Sequence, residues 1–101
     1  MGCSVILTPQ SQDDLRSIVT YISRDSSDRA IAFGNALIDK AFSLESFPEM
    51  GRIVPELDDS FVREIVHGAY RIIYEIYQNS NTIYILRFWN GARGEPEIRK
   101  V

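Results

Sequence analysis

Lysine is nearly missing from this chain. Only Lys40 and Lys100 occur in 101 residues, and positions 41–99 have none. Cysteine and histidine occur once each, as Cys3 and His67. One cysteine excludes an internal disulfide and a cysteine-built zinc site. With a single histidine besides, neither a metal site nor a cofactor is expected. No run approaches the roughly 18 apolar residues of a membrane span, and no segment has low-complexity bias.

The first ten residues, MGCSVILTPQ, carry no basic region and only a short apolar run, so neither a signal peptide nor a membrane partner is expected. MGCS resembles the start of a lipidation signal, but Ile6 stands where such a signal has Ser or Thr. Val5-Ile6-Leu7 reads instead as part of a strand, and the expected compartment is the cytoplasm.

What is present is an ordinary globular composition, 45% hydrophobic and 25% charged, in a length that suits one domain with a single core. The net charge of −3 is unevenly spread. Residues 1–60 hold five Lys/Arg against ten Asp/Glu, and residues 61–101 hold six against four, giving −5 and +2. Any anionic partner would therefore meet the second half, although +2 is too little to hold nucleic acid tightly.

Cys3–Thr8 reads as a first strand ended by Pro9. Ser11 with Asp14 forms a capping box for a helix over 11–24, whose Leu15, Ile18, Val19 and Ile22 recur at helical spacing. Asp25–Asp28 breaks it, and a second helix runs over 28–46, making an antiparallel hairpin. An irregular connection follows to about Ser60. Three strands are then expected at 61–66, 70–77 and 82–89, with turns at 67–69 and 78–81. The order β-α-α-β-β-β predicts an α+β fold, a helical hairpin packed on one face of a small antiparallel sheet.

Alternation assigns the faces. Tyr70, Ile72, Tyr74 and Ile76 form one face of the middle strand, and Arg71, Ile73, Glu75 and Tyr77 the other. In the last strand Thr82, Tyr84, Leu86 and Phe88 are expected to join the helix-covered face. Burying an unpaired arginine under the helices is costly, so Arg87 and Trp89 are expected opposite, beside Arg71. This parity requires an odd-length loop between the strands and sets Ile73 opposite Arg87. Pairing Arg63 with Glu75 would complete an Arg/Trp face that no element is expected to cover, a composition typical of interfaces.

Four stretches carry a family resemblance: Gly51–Glu56, Arg63-Glu64-Ile65, Tyr70–Ile76 and Ile85–Arg93. In this order and spacing they resemble the RelE/ParE superfamily, the toxins of type II toxin–antitoxin, plasmid-stabilisation modules. The resemblance spans nearly the whole chain. It implies a cognate antitoxin that wraps the toxin and through which alone operator DNA is reached. It also implies one of two activities: RelE-like, ribosome-dependent, metal-independent mRNA cleavage, or ParE-like poisoning of DNA gyrase. Arg71 matches one arginine of the nuclease branch, Arg87 approximates a second on the last strand, and Glu56 is the candidate base. The lysines of that branch are missing, and Asn90, no general acid or base, stands where His or Tyr acts.

The expected function is therefore a ParE-like toxin, with Arg63, Arg71, Arg87, Trp89 and Arg93 meeting target or antitoxin. The nuclease is the alternative, with Arg71, Arg87 and Glu56. A third possibility is a non-toxic protein that only binds the antitoxin and regulates. His67 is read as an exposed turn residue.

Overall fold

Pro9 opens the first helix rather than merely closing the strand before it. The computed structural model describes residues 2–101, so Met1, the start of the MGCS stretch, lies outside the described residues. Helix α1 covers Pro9–Ser23, with Pro9 at its first position, where proline's missing N–H costs nothing. Its cap is Thr8, whose hydroxyl accepts from the Ser11 amide at 3.2 Å. The expected cap at Ser11 is thus three residues late, and Asp14 is freed from capping. Helix α2 covers Ser27–Phe42 and is capped by Ser26. Gly34 of α2 lets the two helices close up, since a β-carbon there would sit 2.9 Å from Val19 Cγ2. Among the described residues no helix is long and apolar enough to cross a membrane.

The strands are β1 (Ser4–Leu7), β2 (Arg52–Ile53), β3 (Val62–His67), β4 (Tyr70–Tyr77) and β5 (Thr82–Asn90). They form one sheet in the order β1-β5-β4-β3-β2. Strand β1 runs parallel to β5 and the other pairs are antiparallel, so the sheet is mixed within the expected α+β class. The two-residue β2 was not foreseen, because Pro48 and Pro55 flank it closely.

The β4 faces are as alternation predicts, and Ile73 does pair with Arg87. The parity change, however, is made elsewhere. Gln78–Asn81 is a four-residue loop closed by Asn81 in the left-handed conformation, with Tyr77 opposite Thr82. The extra residue sits inside β5, where pairing passes from Ile73–Arg87 to Tyr74–Ile85 and leaves Leu86 as a bulge. The helix-covered face therefore receives Ile83 and Ile85, while Tyr84 and Leu86 turn away. Of the four β5 residues expected under the helices, only Phe88 lies there. The bulge lets β5 bury two β-branched side chains beneath the helices while holding Arg87 away from them.

Among the described residues two cores result, where one was expected. The larger joins Ile18, Leu37, Leu44, Ile72, Tyr74 and Ile85 between helices and sheet. The smaller, on the opposite face, joins Val54, Val62, Ile73, Leu86 and Trp89, with Leu57 and Ile98 packed on it. The connection before β3 and the segment after β5 thus cover the face expected to be open. Arg87 keeps 8% of its exposure and Trp89 only 3%.

Candidate functional site

Arg71, Arg87 and Trp89 come together on the second face because the β4–β5 register sets Arg71 opposite Trp89 and Ile73 opposite Arg87. Arg71 is held at every nitrogen. Its Nε donates to Glu64 Oε1 at 2.6 Å, and Nη1 and Nη2 donate to Glu56 at 3.0 and 2.7 Å. Glu64, with only 1% of its surface exposed, also accepts from Arg52 Nε at 2.6 Å. The chain Glu56–Arg71–Glu64–Arg52 therefore alternates in charge. Each buried charge in it has a partner, as burial demands.

Arg87 is equally occupied. Its Nε and Nη2 form a two-pronged contact with Asp14 of α1, both at 2.8 Å, and Nη1 donates to the Glu97 carbonyl at 2.8 Å. Strand β1 pairs with β5 only as far as Ile85, and beyond it Asp14 accepts the Phe88 amide at 3.0 Å. A carboxylate thus occupies the place in the ladder that β1 leaves. The Arg87 and Arg93 guanidinium carbons lie 4.8 and 4.0 Å from the centroid of the Trp89 ring, within cation–π range. Arg93 itself is exposed.

Arg63 does not join this group. Its partner across the strands is Tyr74, and Glu75 lies opposite Val62, so the expected Arg63–Glu75 pair is absent. The register places Arg63 on the helix side, where Nη1 donates to the Gly51 carbonyl at 3.0 Å and Nε is buried without a partner among the described residues. The carboxylate that serves the arginine face is Glu64. Glu75 instead accepts the Val101 amide at 2.9 Å. His67 is half-buried at the end of β3 and packs on Phe33, rather than standing free in a turn. The Asn90 side chain accepts from the Ala92 amide at 2.9 Å and shapes the turn after β5.

Sequence reasoning missed Asp14 and Glu64. Asp14 had a signal: it falls at helical spacing with Ser11, Leu15, Ile18 and Ile22, a carboxylate on the buried stripe. Glu64 had none, because each face of β3 carries a charged residue.

The Arg71 hydrogen bonds hold the Glu56 carboxyl below its ordinary value of 4.5, against a smaller opposing effect of burial. The same contact raises the Arg71 pKa. The stability it contributes is complete above the unfolded value and is lost as pH falls through the lower folded one. Glu56→Gln should therefore trail the native chain in urea midpoint by a constant gap at neutral pH. That gap should close on the acid side. A gap that widens on acidification would show the sign to be wrong.

The comparisons with known proteins agree with this architecture. A family model described as the ParE toxin of the type II toxin–antitoxin system, parDE, matches residues 5–94. No curated protein matches the chain. Among solved structures, the chromosomal ParDE toxin–antitoxin system from P. aeruginosa superposes with a TM-score of 0.70 at 18% identity, covering 87% of this chain and 95% of that one. The toxin–antitoxin complex RelBE2 from Mycobacterium tuberculosis gives a TM-score of 0.66 at 22% identity, covering 89% and 92%. At these identities the likeness is one of fold.

Proposed function

The chain belongs to the ParE toxin family of type II toxin–antitoxin systems, and from that premise we propose that it stops growth by binding DNA gyrase, without catalysis, until a cognate antitoxin neutralises it. Operator DNA is then reached only through the antitoxin. One observation carries the choice of a binding over a cleaving role. Both arginines that a nuclease needs for its scissile phosphate are already spent, Arg71 on Glu56 and Glu64, Arg87 on Asp14 and Glu97. Cleavage at a 2′-hydroxyl needs positive charge aimed at the developing pentacovalent phosphate and a base able to take a proton. Here Glu56 is a carboxylate tied to Arg71 and stabilised in its ionised form, which makes it a weaker base.

In this reading Arg71, Arg87 and Trp89 build the platform, and Arg93, exposed and lying over the Trp89 ring, makes direct contact with the partner. Arg63 serves a separate contact on the helix side. Arg93→Ala should weaken gyrase poisoning on the order of tenfold, as loss of an interface arginine does, while changing stability by less than about 0.5 kcal/mol. Supercoiling and cleavage-complex assays with purified gyrase check this. Unchanged supercoiling at protein concentrations that arrest growth would sink the gyrase reading. Primer extension on ribosome-bound message tests the nuclease: discrete cuts at codon positions, lost in Arg71→Ala, would replace binding by cleavage.

A further inference from the structure

Asparagine occurs at positions 35, 79, 81 and 90, and only Asn90 is followed by glycine. In an Asn–Gly pair the nitrogen of the second residue can attack the side-chain amide carbon of the first, and glycine has no β-carbon to hinder the approach. Here a bond would form between the Gly91 nitrogen and Asn90 Cγ. The Cγ–Nδ2 bond then breaks, and the amide leaves as ammonia with the proton that the Gly91 nitrogen gives up. Water opens the resulting cyclic imide at either carbonyl, leaving aspartate or isoaspartate at position 90. Water is the only co-reactant.

The turn after β5 keeps the two reacting groups apart. Asn90 is extended, at φ −69° and ψ 123°, which rotates the Gly91 nitrogen away from the Asn90 side chain. The Gly91 N–H donates to the Ala69 carbonyl at 2.8 Å, just beyond the last β4–β5 pair of Tyr70 with Asn90. The nitrogen must lose that proton to attack, and the closed turn commits it to a carbonyl. Asn90 Oδ1 is fixed in turn by the Ala92 amide at 2.9 Å. Gly91 is exposed and Asn90 half-buried, so water reaches the pair once the turn opens.

We propose that Asn90–Gly91 is a latent deamidation site, silent while the turn is closed and converted when the chain opens there. Asn90 and Arg93 line one cleft with Tyr21 and Tyr70. Conversion puts a carboxylate into that cleft, and the isoaspartate form adds a backbone methylene opposite Tyr70. A period of unfolding is then recorded covalently at the rim of the arginine surface. None of this rests on the gyrase reading, since the chemistry belongs to this chain alone.

The full chain is incubated at neutral pH in buffer and in unfolding guanidinium chloride, and peptide mapping by mass spectrometry follows the amide at position 90. Unfolded, Asn90 should convert at least about tenfold faster than folded, because chemistry on a transiently opened state follows the population of that state. Gly91→Ala should slow the unfolded reaction on the order of tenfold, since its β-carbon obstructs the attack. Hydrogen exchange supplies an independent arm. The Gly91 amide exchanges through the opening that deamidation also needs, so Asn90 should be protected by folding at least as strongly as that amide. Equal folded and unfolded rates, or a folded rate faster than the Gly91 opening allows, would overturn the proposal. So would an unfolded rate that Gly91→Ala leaves unchanged.

Discussion

Asp14→Ala should lower the free energy of unfolding by about 3–5 kcal/mol, the usual cost of removing one partner from a buried ion pair. The reason lies in what remains behind. The Arg87 guanidinium loses both its Asp14 contacts, at 2.8 Å each, and the Phe88 amide loses its acceptor. Side-chain exposure is 9% for Arg87 and 8% for Asp14, so water cannot easily replace the carboxylate. For a chain of this size the loss corresponds to a fall in Tm of some 12–30 °C, enough to leave it marginal at growth temperature.

The neighbouring carboxylate supplies the control. Asp13 pairs with Arg16 on the outside of the same helix, with side chains 65% and 68% exposed. Asp13→Ala should therefore cost no more than about 1 kcal/mol. A second control tests the cause itself. Adding Arg87→Met to Asp14→Ala removes the stranded charge and should recover much of the loss, because buried pairs replaced by apolar residues are often neutral. Urea denaturation of the four chains decides the matter. Equal costs for Asp13→Ala and Asp14→Ala would refute the account.

Gly51→Ala should cost about 3–5 kcal/mol, although it adds a single methyl group. A β-carbon there would lie 2.5 Å from the Glu64 carbonyl oxygen and 2.6 Å from the Tyr74 hydroxyl. The first of these is backbone of β3 and cannot move without breaking the β2–β3 pairing. The Gly51 amide also donates to the Tyr74 hydroxyl at 3.0 Å, within the core. Pushing the chain outward leaves that hydroxyl unsatisfied and takes from Arg63 its Gly51 carbonyl. Gly91→Ala is the comparison, since its β-carbon would meet the Ala69 carbonyl at 3.4 Å. It should change stability by less than about 1 kcal/mol. Similar costs at the two glycines would mean that β2 yields where the packing says it cannot.

Local periodicity made much of this fold legible. The stripe of α2, the two faces of β4 and the pairing of Ile73 with Arg87 all follow from side-chain spacing together with the cost of burying an arginine. Three features escaped for a common reason: each depends on contacts between residues far apart in sequence. Parity arithmetic demanded one extra residue between β4 and β5, but it does not say whether that residue sits in the loop or, as Leu86, in the strand. Asp14 looked like a cap because its partner lies 73 positions away. Residues 94–101 have no periodic pattern, and Ile98 alone does not reveal that it lands on the core of Val54 and Leu86. The arginine surface was consequently recognised as a group but not as a covered one. Its carboxylates were the harder half to see, because Glu64 has no periodic signature.

The parallel seam between β1 and β5 sets the order in which the chain can fold. The Thr8 hydroxyl donates to the Ile85 carbonyl across 77 positions, and Asp14 waits almost as long for Arg87. The β4–β5 ribbon needs only a four-residue loop and can form early, whereas β1 must close nearly the full length of chain before it gains anything. During synthesis, then, the first strand and the α1–α2 hairpin emerge with no β5 to dock on. The nascent chain carries the unpaired Asp14 charge until the last third is made. Its native surfaces therefore arise together and late.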